Sequence, residues 1–347
     1  MLNIRLGLET LKPYSVEEID WQIKLDANEE PRNLPPAVRA ELMERISSLA
    51  FNRYPEINGL NLRRLISERF SQSFKNVLVG SGSNGILAAL CFAYGGQGRS
   101  VVYPNPSFAM YGIYAKLSDS KGVAVEMEPD FSLSVDKILT AAEKEQAAVI
   151  ILCNPNNPTG GIIPLADIEY IAANAKCLVV VDEAYYEFYG QSAVGLLPKY
   201  PRLAVTRTFS KAYCLAAARV GYMLASEEVI ETVGKVLLPY NVNTTSLIAA
   251  ETVWQMRDQF EPGIGETVSE RKKLAAALEA IPGVEVFPSE TNFLLIRVGD
   301  TAGWMKRLAD QGIGVRDFNN APGLSGCLRV TVGTPAENQA FLKAVAL

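Results

Sequence analysis

The chain of 347 residues contains no histidine. That absence excludes Ser-His and Cys-His nucleophilic catalysis, imidazole metal ligands and imidazole proton transfer. A proton shuttle working near neutral pH must then be a lysine, a carboxylate, a tyrosine, a cysteine or a bound cofactor. Cysteine is scarce too. Cys91, Cys153, Cys177, Cys214 and Cys327 are odd in number, far apart and never spaced C-x-x-C. They fit reduced thiols of a cytoplasmic protein and no zinc or disulfide framework. No apolar run approaches membrane-spanning length, and "MLNIRLGLETLKPYS" lacks the apolar core of a signal peptide. With a formal net charge of -5 and no basic stripe, neither nucleic acid nor membrane is the expected partner.

What is present reads as an ordinary globular protein, 48% hydrophobic and 20% charged, long enough for two domains. Apolar strand-like runs occupy 76–80, 100–104, 123–128, 148–153, 177–184, 203–208 and 219–225. Helical periodicity fills 83–94, 134–146 and 165–175 between them. Short, doubly apolar strands separated by helices predict an α/β fold with a mainly parallel seven-stranded sheet covered on both faces. After residue 240 a long helical stretch (244–280) leads into "VEVFP", "NFLLIRV", "GVRDF" and "CLRVTVG", with further helices at 301–311 and 335–346. This predicts a large domain over 40–243 and a smaller α+β domain built from 1–39 and 244–347.

The residues with chemical character cluster at the carboxyl ends of the expected strands, where open α/β sheets bind ligands. "GSGSNG" (80–85) spells G-x-G-x-x-G, but the next acidic residue is Asp119, too far on for a dinucleotide ribose. The free amides of Ser83 and Asn84 at a helix start still suit a phosphate. "VVVDEAYYEF" resembles a Walker-B strand, yet the chain's single Gly-Lys, at Gly234-Lys235, precedes Val236, so no P-loop accompanies it. Asp182 ends that apolar strand and needs a cationic partner if buried. From Phe188 to Ser226 there are five basic residues (Lys199, Arg202, Arg207, Lys211, Arg219) and no acidic one, so an external anion is implied. A ligand with a phosphate for Ser83, Asn84, Ser210 and Arg219, a cationic ring atom for Asp182, a carbonyl for Lys211 and a flat face for Phe108 is pyridoxal 5'-phosphate.

These stretches, with "LDANEEP", "RYPE", "PSFAMY", "NPNNPTG", "TFSKAY…ARVGY" and "LSGCLRVTVGTPAEN", resemble the class I/II group of fold-type-I, pyridoxal-phosphate-dependent aminotransferases over nearly the whole chain. Among these the likeness is greatest to the histidinol-phosphate aminotransferases. The resemblance implies that Lys211 is the Schiff-base lysine and proton carrier and that Asp182 keeps the ring nitrogen protonated. It implies Tyr185 and Asn157 on the ring oxygen, and Phe108 stacked where many relatives have tyrosine. Ser83, Asn84, Thr208, Ser210 and Arg219 would hold the phosphate, joined by Tyr54 from a second subunit of a homodimer. Arg329 would bind the carboxylate of glutamate. Arg316 and Tyr14 would bind the substrate's phosphate, with Asn28 also at the substrate. The implied reaction moves an amino group between L-histidinol phosphate and 2-oxoglutarate. A threonine-phosphate decarboxylase, an aromatic transaminase and a cofactor-sensing regulator stand as alternatives. Asn84-Gly85, where relatives often carry acidic residues, leaves the helix start less negative beside a phosphate.

Overall fold

The computed structural model describes residues 8, 9, 11 and 19–346. The seven expected strands all form: β2 (Val77–Ser81), β3 (Ser100–Asn105), β4 (Lys121–Glu126), β5 (Ala147–Cys153), β6 (Leu178–Asp182), β7 (Leu203–Thr208) and β8 (Val220–Ala225). They make one sheet in the order β2-β8-β7-β6-β5-β3-β4. All neighbouring pairs from β7 to β4 are parallel, whereas β8 runs antiparallel to both β7 and β2. The segment 209–219 between β7 and β8 contains no helix. A parallel return would need a crossover of a dozen or more residues, so the chain folds straight back and carries Lys211 and Arg219 in the turn.

The fully buried runs "LVVVD" and "LAVTRT" of β6 and β7 reflect a sheet covered on both sides. Helices Gly82–Tyr94, Met110–Leu117 and Glu227–Gly234 pack on one face around Leu78, Val101, Ile151 and Val180. The opposite face is covered near the strand centre by helices Val135–Lys144 and Leu165–Asn174. Toward β2 and β8 it is covered by Pro36–Ser47, Leu60–Arg69 and Thr244–Gln255.

A second sheet has the order β1-β11-β12-β10-β9, from β1 (Ile23–Leu25), β9 (Glu285–Val286), β10 (Phe293–Arg297), β11 (Ile313–Asp317) and β12 (Cys327–Thr331). β1 pairs parallel with β11, and the other pairs are antiparallel. Helices Glu261–Glu279, Thr301–Asp310 and Pro335–Val345 close its core. The last begins with a capping box in which Thr334 and Glu337 satisfy each other's backbone amides. The stretch expected as one helical region over 244–280 is two helices separated by a turn at Arg257–Phe260, Pro262 lying in the first turn of the second. Among the described residues, no helix is long and apolar enough to cross a membrane.

The helix Thr244–Gln255 carries Trp254, 4% exposed, among Phe70, Phe209, Tyr213 and Tyr222. Its indole N–H donates to the Leu65 carbonyl at 3.0 Å. It therefore joins three elements beneath the β7–β8 turn. Trp254→Ala should lower the unfolding free energy by about 3–5 kcal/mol, the usual cost of deleting a large buried aromatic side chain. Urea titration of the purified protein measures this, and a loss below about 1 kcal/mol would show that the cluster relaxes around the void.

Candidate active site

The carboxyl ends of β3, β5, β6 and β7 and one face of the small sheet enclose a cleft of about 560 Å³. Asn28, Ser83, Asn84, Phe108, Asn157, Asp182, Tyr185, Thr208, Ser210, Lys211, Arg219, Arg316 and Arg329 all line it. The structure thus brings together residues spread over three hundred positions of sequence. Two expected members stand apart. Tyr54 is 82% exposed and stacks on Tyr240, ring centroids 4.7 Å apart. Tyr14 lies outside the described residues.

At the sheet end of the cleft, Asp182 is 3% exposed. Its Oδ2 accepts from the Tyr111 hydroxyl at 2.8 Å and its Oδ1 from Thr206 Oγ1 at 3.2 Å. Burial pushes its carboxyl up to about 6, while those two hydrogen bonds pull the other way. A cation arriving in front of it would restore the ionised form. Lys211 projects from the β7–β8 turn and donates from Nζ to the Ala27 carbonyl at 3.0 Å. Burial first, then the neighbouring Arg329 and Arg219 charges, bring its amine down to about 7, against the pull of Glu29. Lys211 therefore carries a substantial neutral, nucleophilic fraction near neutral pH.

The cradle beside them is built from backbone. Ser83 and Asn84 occupy the first turn of the helix Gly82–Tyr94. Gly82 has φ +70°, and a Cβ on it would sit 2.9 Å from Arg219 Nη2. A Cβ on Gly221, which lies opposite Gly80 on β2, would sit 2.3 Å from the Ser83 nitrogen. These two glycines let β8 and the arginine close on the helix start, where amide N–H groups and the helix dipole favour an anion. Arg219 Nη1 donates to Ser210 Oγ and to the Ala216 carbonyl, each at 3.1 Å. Ser210 N–H donates to Thr208 Oγ1 at 3.1 Å. Phe108 meets Tyr111 edge-on at 5.6 Å and lines the cleft wall.

On the small-sheet side, Arg316 of β11 stands directly opposite Arg329 of β12 in the ladder, which puts both side chains on the same face. Arg329 donates to Asn157 Oδ1 at 2.5 Å and to the Asp26 carbonyl at 2.7 Å. Phe293 and Phe318 flank its guanidinium at 5.3 and 5.5 Å. Two arginines side by side at a cleft repel unless anions lie between them.

Not every cation of the basic stretch serves the cleft. Arg207 turns to the opposite side of β7 and pairs with Glu183 at 2.8 Å, both almost fully buried. Lys199 pairs with Glu169 at 2.7 Å. Both carboxylates lie outside the 188–226 window, which is why the sequence stretch looks more orphaned than it is. The sequence reading missed Tyr111, Thr206, Ala27 and Asp26. Tyr111 and Thr206 are ordinary residues of a helix and a strand. Ala27 and Asp26 act through carbonyl oxygens, which no side-chain pattern reveals. Gly221 carried a signal that was legible, a glycine inside an apolar strand.

Because the Lys211 amine titrates near 7, it should react ahead of surface lysines in cofactor-free protein. Competitive acylation with a small amine-directed reagent at about pH 8, mapped by peptide mass, should find Lys211 modified first. Its rate should rise through a midpoint near 7. A midpoint above about 9 would show the amine to be charged and the cleft wetter than described.

The sequence profile described as "Aminotransferase class I and II" matches residues 20–345. A "Histidinol-phosphate aminotransferase" of Caldanaerobacter subterraneus subsp. tengcongensis is 37% identical over 342 residues, spanning 99% of this chain and 97% of that protein. "Histidinol-phosphate aminotransferase 1" of Carboxydothermus hydrogenoformans is 40% identical over 334 residues, spanning 96% and 95%. The crystal structure of the histidinol-phosphate aminotransferase from Sinorhizobium meliloti in complex with pyridoxal-5'-phosphate has the same fold. Its TM-score is 0.90 at 23% identity, with 99% of this chain and 97% of that one covered. With a profile match over all but the ends of the chain and relatives this similar along their full length, the chain belongs to the class I and II aminotransferases.

Proposed function

We propose that this chain is a pyridoxal-phosphate-dependent aminotransferase that exchanges an amino group between L-histidinol phosphate and 2-oxoglutarate, a step of histidine biosynthesis in the cytoplasm. The observation that carries the reading is one cleft holding a buried carboxylate, a lysine amine lowered to about 7 and an amide-lined anion cradle. Full-length relatives named for this reaction support the choice of substrate.

The residues present fit the cofactor. Asp182 is a buried carboxylate at the cleft end whose desolvation a cationic ring nitrogen would offset. Gly82 and Gly221, where a Cβ would strike Arg219 and the Ser83 nitrogen, let the strand and the guanidinium close on the helix start whose amides would receive a phosphate. When bound, pyridoxal phosphate supplies an aldehyde for amines and a ring that accepts the electrons released at the substrate Cα. The chain's own residues do the rest. The amides of Ser83 and Asn84, with Thr208, Ser210 and Arg219, hold the phosphate. Phe108 covers one ring face. Asp182 would keep the ring nitrogen protonated, and Asn157 and Tyr185, which line the same cleft, would meet the ring oxygen. Lys211 would hold the cofactor's aldehyde through its amine and, when that amine is free, would serve as the base that carries the substrate's Cα proton. Arg329 receives the glutamate carboxylate in a planar pair. Arg316, which forms no hydrogen bond or ion pair among the described residues, receives the substrate's phosphate, joined in this reading by Tyr14.

Tyr54 belongs to this reading through a homodimer in which it reaches the partner's phosphate site. Its exposure beside Tyr240, with Phe51, Ile57 and Leu238 also exposed, supports an apolar surface covered by a second copy. The chain divides in the same reading into a large cofactor-bearing unit and a small unit carrying Arg316 and Arg329. The packing of Leu247, Ala250 and Trp254 on Phe209 and Tyr222 favours placing the helix Thr244–Gln255 with the large one.

Adding L-histidinol phosphate, threonine phosphate or phenylalanine separately to holoenzyme, without an acceptor, tests the reaction. Histidinol phosphate should discharge the cofactor's visible band fastest and release no carbon dioxide. Carbon dioxide released from threonine phosphate with the band retained would make the chain a decarboxylase, and a fastest response to phenylalanine would make it an aromatic transaminase.

The two arginines should fail differently. Loss of one desolvated charged contact costs roughly 2–5 kcal/mol. Arg316→Ala should lose about 30-fold or more in efficiency with histidinol phosphate and far less with glutamate. Arg329→Ala should damage the glutamate half-reaction at least as much. Equal, small losses in both half-reactions for Arg316→Ala would leave no phosphate site there.

A further inference from the structure

Asn28 sits at the point where the small sheet meets the cleft, and every polar group it has is used. It is 1% exposed with φ at 53°, a left-handed conformation that asparagine tolerates better than most residues. Its backbone N–H donates to Thr331 Oγ1 at 3.0 Å, and Thr331 Oγ1 donates in turn to Asn28 Oδ1 at 3.3 Å. Asn292 Nδ2 donates to the Asn28 carbonyl at 3.1 Å. The remaining group, Nδ2, donates to the Tyr185 hydroxyl oxygen at 2.9 Å.

The direction of these bonds matters. A threonine hydroxyl has one proton, and here it is committed to Asn28 Oδ1 while its oxygen accepts the backbone N–H. Reversing the amide would aim two N–H donors at Thr331 Oγ1 and leave its hydroxyl proton without an acceptor among the described residues, so the amide oxygen faces Thr331 and the nitrogen faces Tyr185. Tyr185 is 3% exposed, edge-on to Phe293 at 5.2 Å. Its oxygen receives a proton from Asn28, so its own proton must be donated elsewhere, and the open side is the cleft. Were the amide reversed, Oδ1 would accept the phenol proton and Tyr185 would present only a lone pair to the cleft.

We infer that Asn28 is a positioning residue that turns the Tyr185 hydroxyl proton into the cleft, toward the ring oxygen of the cofactor, and that Thr331 fixes the orientation of its amide. This rests on the pyridoxal phosphate reading and reassigns Asn28, expected at the substrate, to the cofactor's environment. A phenol donating to the ring oxygen favours that oxygen's anionic form. With the cofactor bound, this would move the pH midpoint of its visible band downward. The charged groups facing Tyr185 are Arg329 of β12, Asp182 of β6 and Lys211, whose Nζ is 5.9 Å from the ring centroid; the Cys153 thiol of β5 also faces it. A substitution that keeps the Asn28 backbone N–H on Thr331 and its carbonyl under Asn292 leaves the segment holding Lys211 and Arg329 tied, and any shift it transmits to them is common to backgrounds with and without the Tyr185 hydroxyl.

The test is a double-mutant cycle read from the pH midpoint of the holoenzyme's visible band. Asn28→Gly keeps the positive φ accessible and removes the amide; Tyr185→Phe removes the hydroxyl. Asn28→Gly should raise the midpoint by about one unit, the size expected for one hydrogen bond to a charged acceptor. In the Tyr185→Phe background, which is itself raised, it should add almost nothing. If Asn28→Gly does not fold, Asn28→Asp serves in the same cycle, because the charge it adds acts equally in both backgrounds and cancels. Equal shifts with and without the Tyr185 hydroxyl would overturn the inference while leaving the cofactor reading intact. A purified wild-type protein that acquires no visible band with pyridoxal phosphate would instead overturn the cofactor reading itself.

Discussion

Asp182 is a carboxylate held dry at the end of a buried parallel strand, and much of the molecule is arranged around that cost. Burying an ionised group without a countercharge is among the largest penalties a fold can carry. Here it is reduced by Tyr111 and Thr206 and still leaves the group titrating near 6. The strands on either side of β6 run parallel to it, so their carboxyl ends meet at the same edge. Whatever neutralises Asp182 must enter at that edge, and the other residues of the cleft are spaced around that entry.

The β7–β8 reversal supplies the opposing chemistry. Because the segment 209–219 is too short for a crossover helix, it forms a tight turn above the sheet with Lys211 near its start and Arg219, at φ 53°, at its end. The aromatic cluster around Trp254 supports this turn from below. The Lys211 amine is lowered by the same kind of low-dielectric surroundings that raise Asp182, and by the arginines beside it. One environment thus shifts an acid upward and a base downward, which leaves a proton acceptor and a proton holder within a single cleft.

The small sheet completes the cleft through the short segment 26–28. Asp26 and Ala27 lend carbonyl oxygens to Arg329 and Lys211, and Asn28 lends its amide to Tyr185. Its ties to Thr331 and Asn292 make that segment an extension of the sheet bearing the two arginines. Substrate-facing and cofactor-facing groups are therefore mechanically joined.

Periodicity and composition by themselves determined the seven strands, the fold class and the edge at which the site would form. Burial on both sheet faces demands continuous apolar runs, and those are visible one residue at a time. The side chains with unusual chemical roles, Asp182 and Lys211 above all, were legible because a charge inside an apolar stretch needs a partner, although Arg207 shows that the partner can be an ordinary carboxylate of the fold. The antiparallel course of β8, the pairing of Arg207 with Glu183, the work of Tyr111 and the carbonyls of Asp26 and Ala27 were decided only in three dimensions. Each depends on which groups approach one another across long separations, and hydrogen-bond partnership and pKa are properties of that approach, not of any residue's identity.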